Sequence, residues 1–263
     1  SLALRGEMPD IAFARYYLGE AGISIPRNLD LQLNLQARNG TLSSFLRLCC
    51  GEGCLSLDAV YNTQQEAYEA DIALNHFPLD RFLPADSVGI VTADIRLGGQ
   101  GLTWAGAKAS LDARIRGLEF QRHDYRDVAL EATLNHTSLK GSLTSGDPVI
   151  PLDLVFHGDS IGKDYRATLS GKLGVADLEQ LHFVKEPLQV GAVVDITATL
   201  GSASDYTLLA EFDSLEMADA RKKYHLGKLD LEMSSNLSNT TLGVSSGDLK
   251  LHFETDTSLN AFI

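Results

Sequence analysis

Apolar and polar residues alternate with a period of two along most of the chain. Leu29, Leu31, Leu33 and Leu35 are interleaved with Asp30, Gln32 and Asn34. Val91, Ala93, Ile95 and Leu97 are interleaved with Thr92, Asp94 and Arg96, and Leu111, Ala113 and Ile115 with Asp112 and Arg114. The same pattern recurs at 69–74, 128–134, 150–156, 167–173, 196–200, 208–212, 229–233 and 249–253. Side chains on a strand point to opposite faces in turn, so each run predicts a strand with one apolar and one polar face. One wet face argues for antiparallel strands, because buried parallel strands are apolar throughout. Turn-forming clusters separate the runs: Arg38-Asn39-Gly40, Gly98 to Gly101, Ser145 to Pro148 and Ser246 to Asp248. Only two short helices are expected, one from Pro9-Asp10 to about Leu18 and one over Pro78 to Leu83.

The chain also repeats itself. YEADI begins at Tyr68 and YRATL at Tyr165, 97 positions later (165 − 68). Leu118-Glu119 returns as Leu215-Glu216 after 97 (215 − 118), and Ser145-Gly146-Asp147 as Ser246-Gly247-Asp248 after 101 (246 − 145). Similar segments at a near-constant offset are the mark of stacked structural units. The expected organisation is therefore an N-terminal β-segment with a possible short helix over 1–66, then β-repeat units over 67–164 and 165–263, all one continuous β-structure. The fold class expected is all-β: an elongated, curved antiparallel sheet, a trough built from stacked repeats. The chain starts and stops without punctuation, so we expect it to be a piece of something longer.

Composition narrows the function. The chain is 44% hydrophobic but only 7% aromatic, so its apolar mass is mostly aliphatic and leaves space between facing walls. A net charge of −13 argues against nucleic acid and against broad adhesion to an anionic membrane surface. No stretch approaches the ~20 apolar residues of a spanning helix.

Candidate chemistry is sparse. Gly158-Asp159-Ser160-Ile161-Gly162 fits the G-x-S-x-G pattern of a serine hydrolase, but strand alternation resumes where that elbow needs a helix. We expect a turn there, and no catalytic residue. The seven histidines show no zinc spacing. The glycine cluster at 98–101 is followed by Leu102-Thr103-Trp104, not by the lysine and helix of a phosphate loop. Neither metal nor cofactor is expected. Cys49, Cys50 and Cys54 form one cluster. The plainer reading is a Gly51-Glu52-Gly53 hairpin turn beside incidental thiols; Cys49 or Cys50 could instead bridge to Cys54 in an oxidising compartment. Asn39, Asn135, Asn236 and Asn239 begin glycosylation sequons, which matter only for a secreted eukaryotic chain.

Two stretches bring a family into view. Leu139 to Pro148, followed by Ile150 to Phe156 and Gly158, resembles the repeated module of TamB proteins, within the wider AsmA-like group. Val88 to Gly99 resembles the same family's G-x-x-x-x-x-ϕ-x-ϕ-x-G opening, where ϕ is apolar, and Tyr125 to Leu134 its following strand. The resemblance covers most of 68–255 with short motifs. It implies part of an inner-membrane-anchored protein crossing the periplasm. It also implies an apolar β-groove that shields phospholipid acyl chains, and work with an outer-membrane β-barrel partner in protein assembly. One alternating set, Ile95, Ile115, Leu130, Leu154, Leu169, Ile196, Phe212 and Leu231, is then expected to line the groove. The competing expectation is a structural or adhesive β-solenoid with a packed core and no ligand. Small inward residues (Ala93, Ala113, Ala132, Gly141, Ala167, Gly171 and Ala198) favour the open groove over the packed core.

Overall fold

A computed structural model describes residues 2–8, 24, 26–83, 88–103, 106–161, 164–201 and 205–257. The chain is all-β, and its strands form an open, curved antiparallel sheet within each of two units. It divides into two compact units, Ser1–His136 and Thr137–Ile263.

The first unit holds β1 (Leu2–Met8), β2 (Leu29–Arg38), β3 (Thr41–Cys50), β4 (Gly53–Asn62), β5 (Ala67–Pro78), β6 (Val88–Gln100), β7 (Lys108–Phe120), β8 (His123–Tyr125) and β9 (Val128–Asn135). Each strand pairs antiparallel with its neighbour in sequence, except that β7 receives both the short β8 and β9. The second unit holds β10 (Ser138–Ser145), β11 (Leu152–Ile161), β12 (Asp164–Asp177), β13 (Leu188–Leu200), β14 (Tyr206–Asp219), β15 (Lys223–Ser235), β16 (Thr240–Ser246) and β17 (Leu249–Thr255). It is an uninterrupted meander from β10 to β17.

Hairpin chemistry explains the short connections. Asn39 and Gly40 both take positive φ, 50° and 77°, as a tight two-residue turn requires. The expected helix at 9–18 lies outside the described residues. The one expected over Pro78 to Leu83 is shorter than its bracketing prolines suggested: a single 3-10 turn, Leu79–Arg81.

The sequence repeat is a repeat of strands. β4 to β7 start at 53, 67, 88 and 108, and β11 to β14 start at 152, 164, 188 and 206, offsets of 97 to 100. The register breaks repeat as well. The irregularity between Leu74 and Phe77 in β5 returns between Leu173 and Ala176 in β12, 99 positions on at both ends (173 − 74, 176 − 77). At each break the residue that resumes the pairing is deeply buried: Phe77 is 2% exposed and Ala176 1%.

Those breaks lie at one rim of each sheet, and the buried core gathers beside them. In the first unit Leu74, Phe77, Val91 and Ala93 form the core, with Leu79 and Phe82 of the β5–β6 connection packed against it. Phe82 stacks on Phe77 at 5.0 Å between ring centroids. In the second unit Ala192, Val194 and Leu215 form the corresponding cluster. Leu181, in the β12–β13 connection, is wholly buried.

Candidate functional site

Cross-strand partners share a face, so the register shows which predicted groove residues lie together. In the first unit Leu33, Leu46, Leu57 and Ile72 stand opposite one another on successive strands, and the row continues through Ile95, Ala113 and Leu130. Ile115 faces Ala93 and Val128 in the adjacent row. In the second unit Phe156, Leu169, Ile196, Ala210, Leu231 and Val244 form one row. Leu154 and Phe212 belong to the next, linked through Gly171 and Val194. The structure therefore places Ile95, Ile115 and Leu130 on one face of the first unit. It places Leu154, Leu169, Ile196, Phe212 and Leu231 on one face of the second. We call these the inner faces. The small residues Ala93, Ala113 and Ala132, and Gly141, Ala167, Gly171 and Ala198, lie on them too.

All eight predicted residues are half-buried. They are shielded by their own neighbours on the sheet, and within each unit, among the described residues, no second sheet packs on the inner face. Several large side chains toward the rim opposite the register breaks are exposed. Leu35, Leu42 and Leu97 in the first unit are 37–48% exposed, and in the second Leu200 is 39% and Tyr165 52% exposed.

The opposite, outer face carries charge in complementary pairs. Arg96 lies 3.5 Å from Asp71, Arg116 2.7 Å from Asp94, and Arg114 3.3 Å from Asp112 and 3.7 Å from Glu131. These side chains are well exposed, so each pair contributes about 1 kcal/mol at most. Their effect is on register, because a slip by one residue would turn the charges inward. In the second unit Lys228 bridges Glu211 and Asp230 at 3.2 Å each. The hydrogen bonds to Glu211 and then Asp230 raise its pKa above the usual lysine value.

Two expectations about chemistry need correction. Gly158 to Ile161 is not a turn but the last part of β11, paired with Asp164 to Ala167 of β12. Extended pairing is favoured there because both flanking segments alternate. Ser160 faces inward, on the opposite side of the sheet from His157 and Asp159. Those two do lie near another serine: His157 Nε2 is 2.9 Å from Asp159 Oδ2 and 3.2 Å from Ser138 Oγ. Both contacts meet the same ring nitrogen. A catalytic triad needs the carboxylate on one nitrogen and the serine on the other, so this cluster is not a proton relay.

The cysteines also differ from the plainer reading. Cys49 and Cys54 stand opposite one another at the end of the β3–β4 hairpin and form a disulfide. Alternation sends Cys50 to the other face, where it is buried beneath Arg81, whose Nη1 donates to its Sγ at 3.5 Å. Sequence reasoning left the choice between Cys49 and Cys50 open. The turn at Gly51-Glu52 decides it, since it pairs Cys50 with Gly53. Among the described residues no three His, Cys, Asp or Glu side chains are arranged to hold a metal.

The connection after β12 is organised by a residue the sequence reading passed over. The Asp177 carboxylate accepts hydrogen bonds from the Gln180 backbone N–H at 3.0 Å, from Gln180 Nε2 at 2.9 Å and from Gln189 Nε2 at 3.3 Å. The Gln180 backbone bond is the main reason that its pKa lies below the usual 3.8. The signal was an Asp three residues ahead of a Gln at a strand end, a capping pattern.

Against this geometry, no protein-family model, no curated protein and no solved structure matches the chain.

Proposed function

We propose that each unit's inner face shields phospholipid acyl chains, as part of a TamB-like or AsmA-like envelope protein in the bacterial periplasm. One observation carries this reading. Rows of mostly aliphatic side chains run from strand to strand, most of them half-buried, and within each unit the described strands belong to one sheet with no second sheet packed on that face. Each CH2 withdrawn from water is worth about 0.8 kcal/mol. An uncovered aliphatic wall therefore has a large affinity for acyl chains, and the paired charges of the outer face keep the sheet in water. The Cys49–Cys54 disulfide supports an oxidising compartment. The outer-membrane β-barrel partner and a role in protein assembly belong to the same proposal, through the rest of the parent protein.

The second reading is a ligand-free β-solenoid with a packed core. The buried clusters around Phe77 and Ala192 favour it locally, at the rims with register breaks. Native mass spectrometry of the chain purified from a bacterial periplasm, followed by lipid extraction, separates the two. The groove reading expects phospholipid adducts in more than trace amount. Lipid-free protein that also takes up none from phosphatidylcholine vesicles leaves the solenoid.

A further inference from the structure

The second unit's inner face is not uniformly apolar from rim to rim. At the rim without register breaks its last row runs Ser160, Tyr165, Leu200, Tyr206, Ser235, Thr240 and Thr255, each opposite the next on successive strands. Six of these seven carry hydroxyls, and none is charged. The rows immediately inside it are apolar, as along β14, where Leu208, Ala210 and Phe212 follow Tyr206 on the same face. Toward the far rim, on the side of the connection that holds the buried Leu181, the face reaches Leu215, 7% exposed, and then the Val190–Met217 pair. One rim is thus closed and apolar, and the other is lined with hydroxyls that run from Tyr165, 52% exposed, to Ser235, 4% exposed and bonded to Thr240.

A hydroxyl row followed by an apolar stretch is the order of groups in one leaflet. Seven residues separate Leu208 from Leu215, so the apolar width is roughly 23 Å at ~3.3 Å per residue. One leaflet's hydrocarbon depth is about 15 Å, half of the ~30 Å core. An acyl chain lying along the strands fits inside that width. Its ester and phosphate oxygens then meet the hydroxyl row, where Tyr165 and Tyr206 offer an apolar ring and a polar tip, the combination favoured at membrane interfaces.

We propose that the hydroxyl row is the headgroup track of the second unit: glycerophospholipids lie with their acyl chains along the strands and their headgroups at the rim of Tyr165 and Tyr206. This rests on the lipid-shielding reading above and adds an orientation to it.

The test uses the full chain with Trp104, its one tryptophan, replaced by Phe. A new tryptophan is placed at Tyr206 (hydroxyl rim), at Phe212 (mid-face) or at Phe183, an exposed residue of the closed-rim connection. Each variant is mixed with phosphatidylcholine vesicles carrying a nitroxide either on the choline or midway along an acyl chain. The expected result is that the ratio of headgroup to acyl quenching is at least threefold higher for Tyr206→Trp than for Phe212→Trp, and lowest for Phe183→Trp. Tyr165→Trp, at a more exposed site, replaces Tyr206→Trp if that variant does not fold. Acyl quenching at Phe212→Trp with an equal ratio at all three sites, or the highest ratio at Phe183→Trp, overturns the track and leaves lipid shielding standing. Absence of acyl quenching at Phe212→Trp overturns both.

Discussion

Ile115 and Leu231 both point from an inner face and are both half-buried, yet a charge has different consequences at the two positions. Ile115 packs against the cluster of Leu74, Phe77, Val91 and Ala93, so Ile115→Asp puts a carboxylate where water is scarce. Leu231 lies in mid-row and belongs to neither buried cluster. Urea unfolding is expected to show a loss of roughly 3 kcal/mol for Ile115→Asp and roughly 1 kcal/mol for Leu231→Asp. Equal large losses would mean that the face is closed over at both places. Ser160→Ala is expected to leave the melting temperature and any ester hydrolysis unchanged, because its hydroxyl is on the opposite face from His157 and Asp159. An activity present in the native chain and lost in that variant would revive a hydrolase. Asp177 gives a pH dependence whose sign follows from its hydrogen bonds. Its pKa is lowered in the folded chain, so its contribution is complete above the unfolded value and lost as pH falls through the folded one. Hydrogen exchange in 178–189 should therefore accelerate below about pH 4, and Asp177→Asn should remove most of that dependence. Which residues share a face was legible from alternation alone. How deeply each is buried was not, because that depends on connections such as 79–83 folding back on the sheet, which no periodicity announces.

At the scale of strands and turns, the β3–β4 hairpin and Gly171 offer the sharpest tests. The Cys49–Cys54 bridge closes a short loop, and the chain-entropy account gives about 2 kcal/mol for a loop of that length. Replacing both cysteines with serine should lower the stability of the first unit by about that amount and leave hydrogen exchange in β12 to β15 unaltered. Gly171 has φ of 146°, and a Cβ there would collide with the Asp153 carbonyl oxygen. Gly171→Ala should therefore cost roughly 2 to 3 kcal/mol, read as a lower urea midpoint with unchanged slope. The strands with strict alternation, β2, β6, β7 and β12 among them, could be read directly from the sequence. β3 was harder, because Ser44 interrupts its inward apolar series and Phe45 lies on its polar face. β16 has only Leu242 and Val244 as inward apolar residues. Pro78 to Leu83 looked helical because prolines bracket it, but Phe82 is drawn onto Phe77, and that packing limits the segment to one tight turn.

For the molecule as a whole, the test of uncovered inner faces is thermodynamic. Phospholipid binding is expected to give a negative heat-capacity change in calorimetry, whereas a packed solenoid gives none. The sequence alone revealed the β class, the repeat and which residues share a face. It could not reveal the difference between the two rims, which arises from paired register breaks and from rows that exist only once strands are aligned. The meander itself has a consequence for biosynthesis. In each unit every long strand bonds only to strands that precede or follow it closely, so no segment has to wait for a distant partner. A chain threaded through a membrane pore from its N-terminus can complete one hairpin as the next emerges. Ordered structure can then grow at the pace of export, with a single unpaired edge exposed at the growing end.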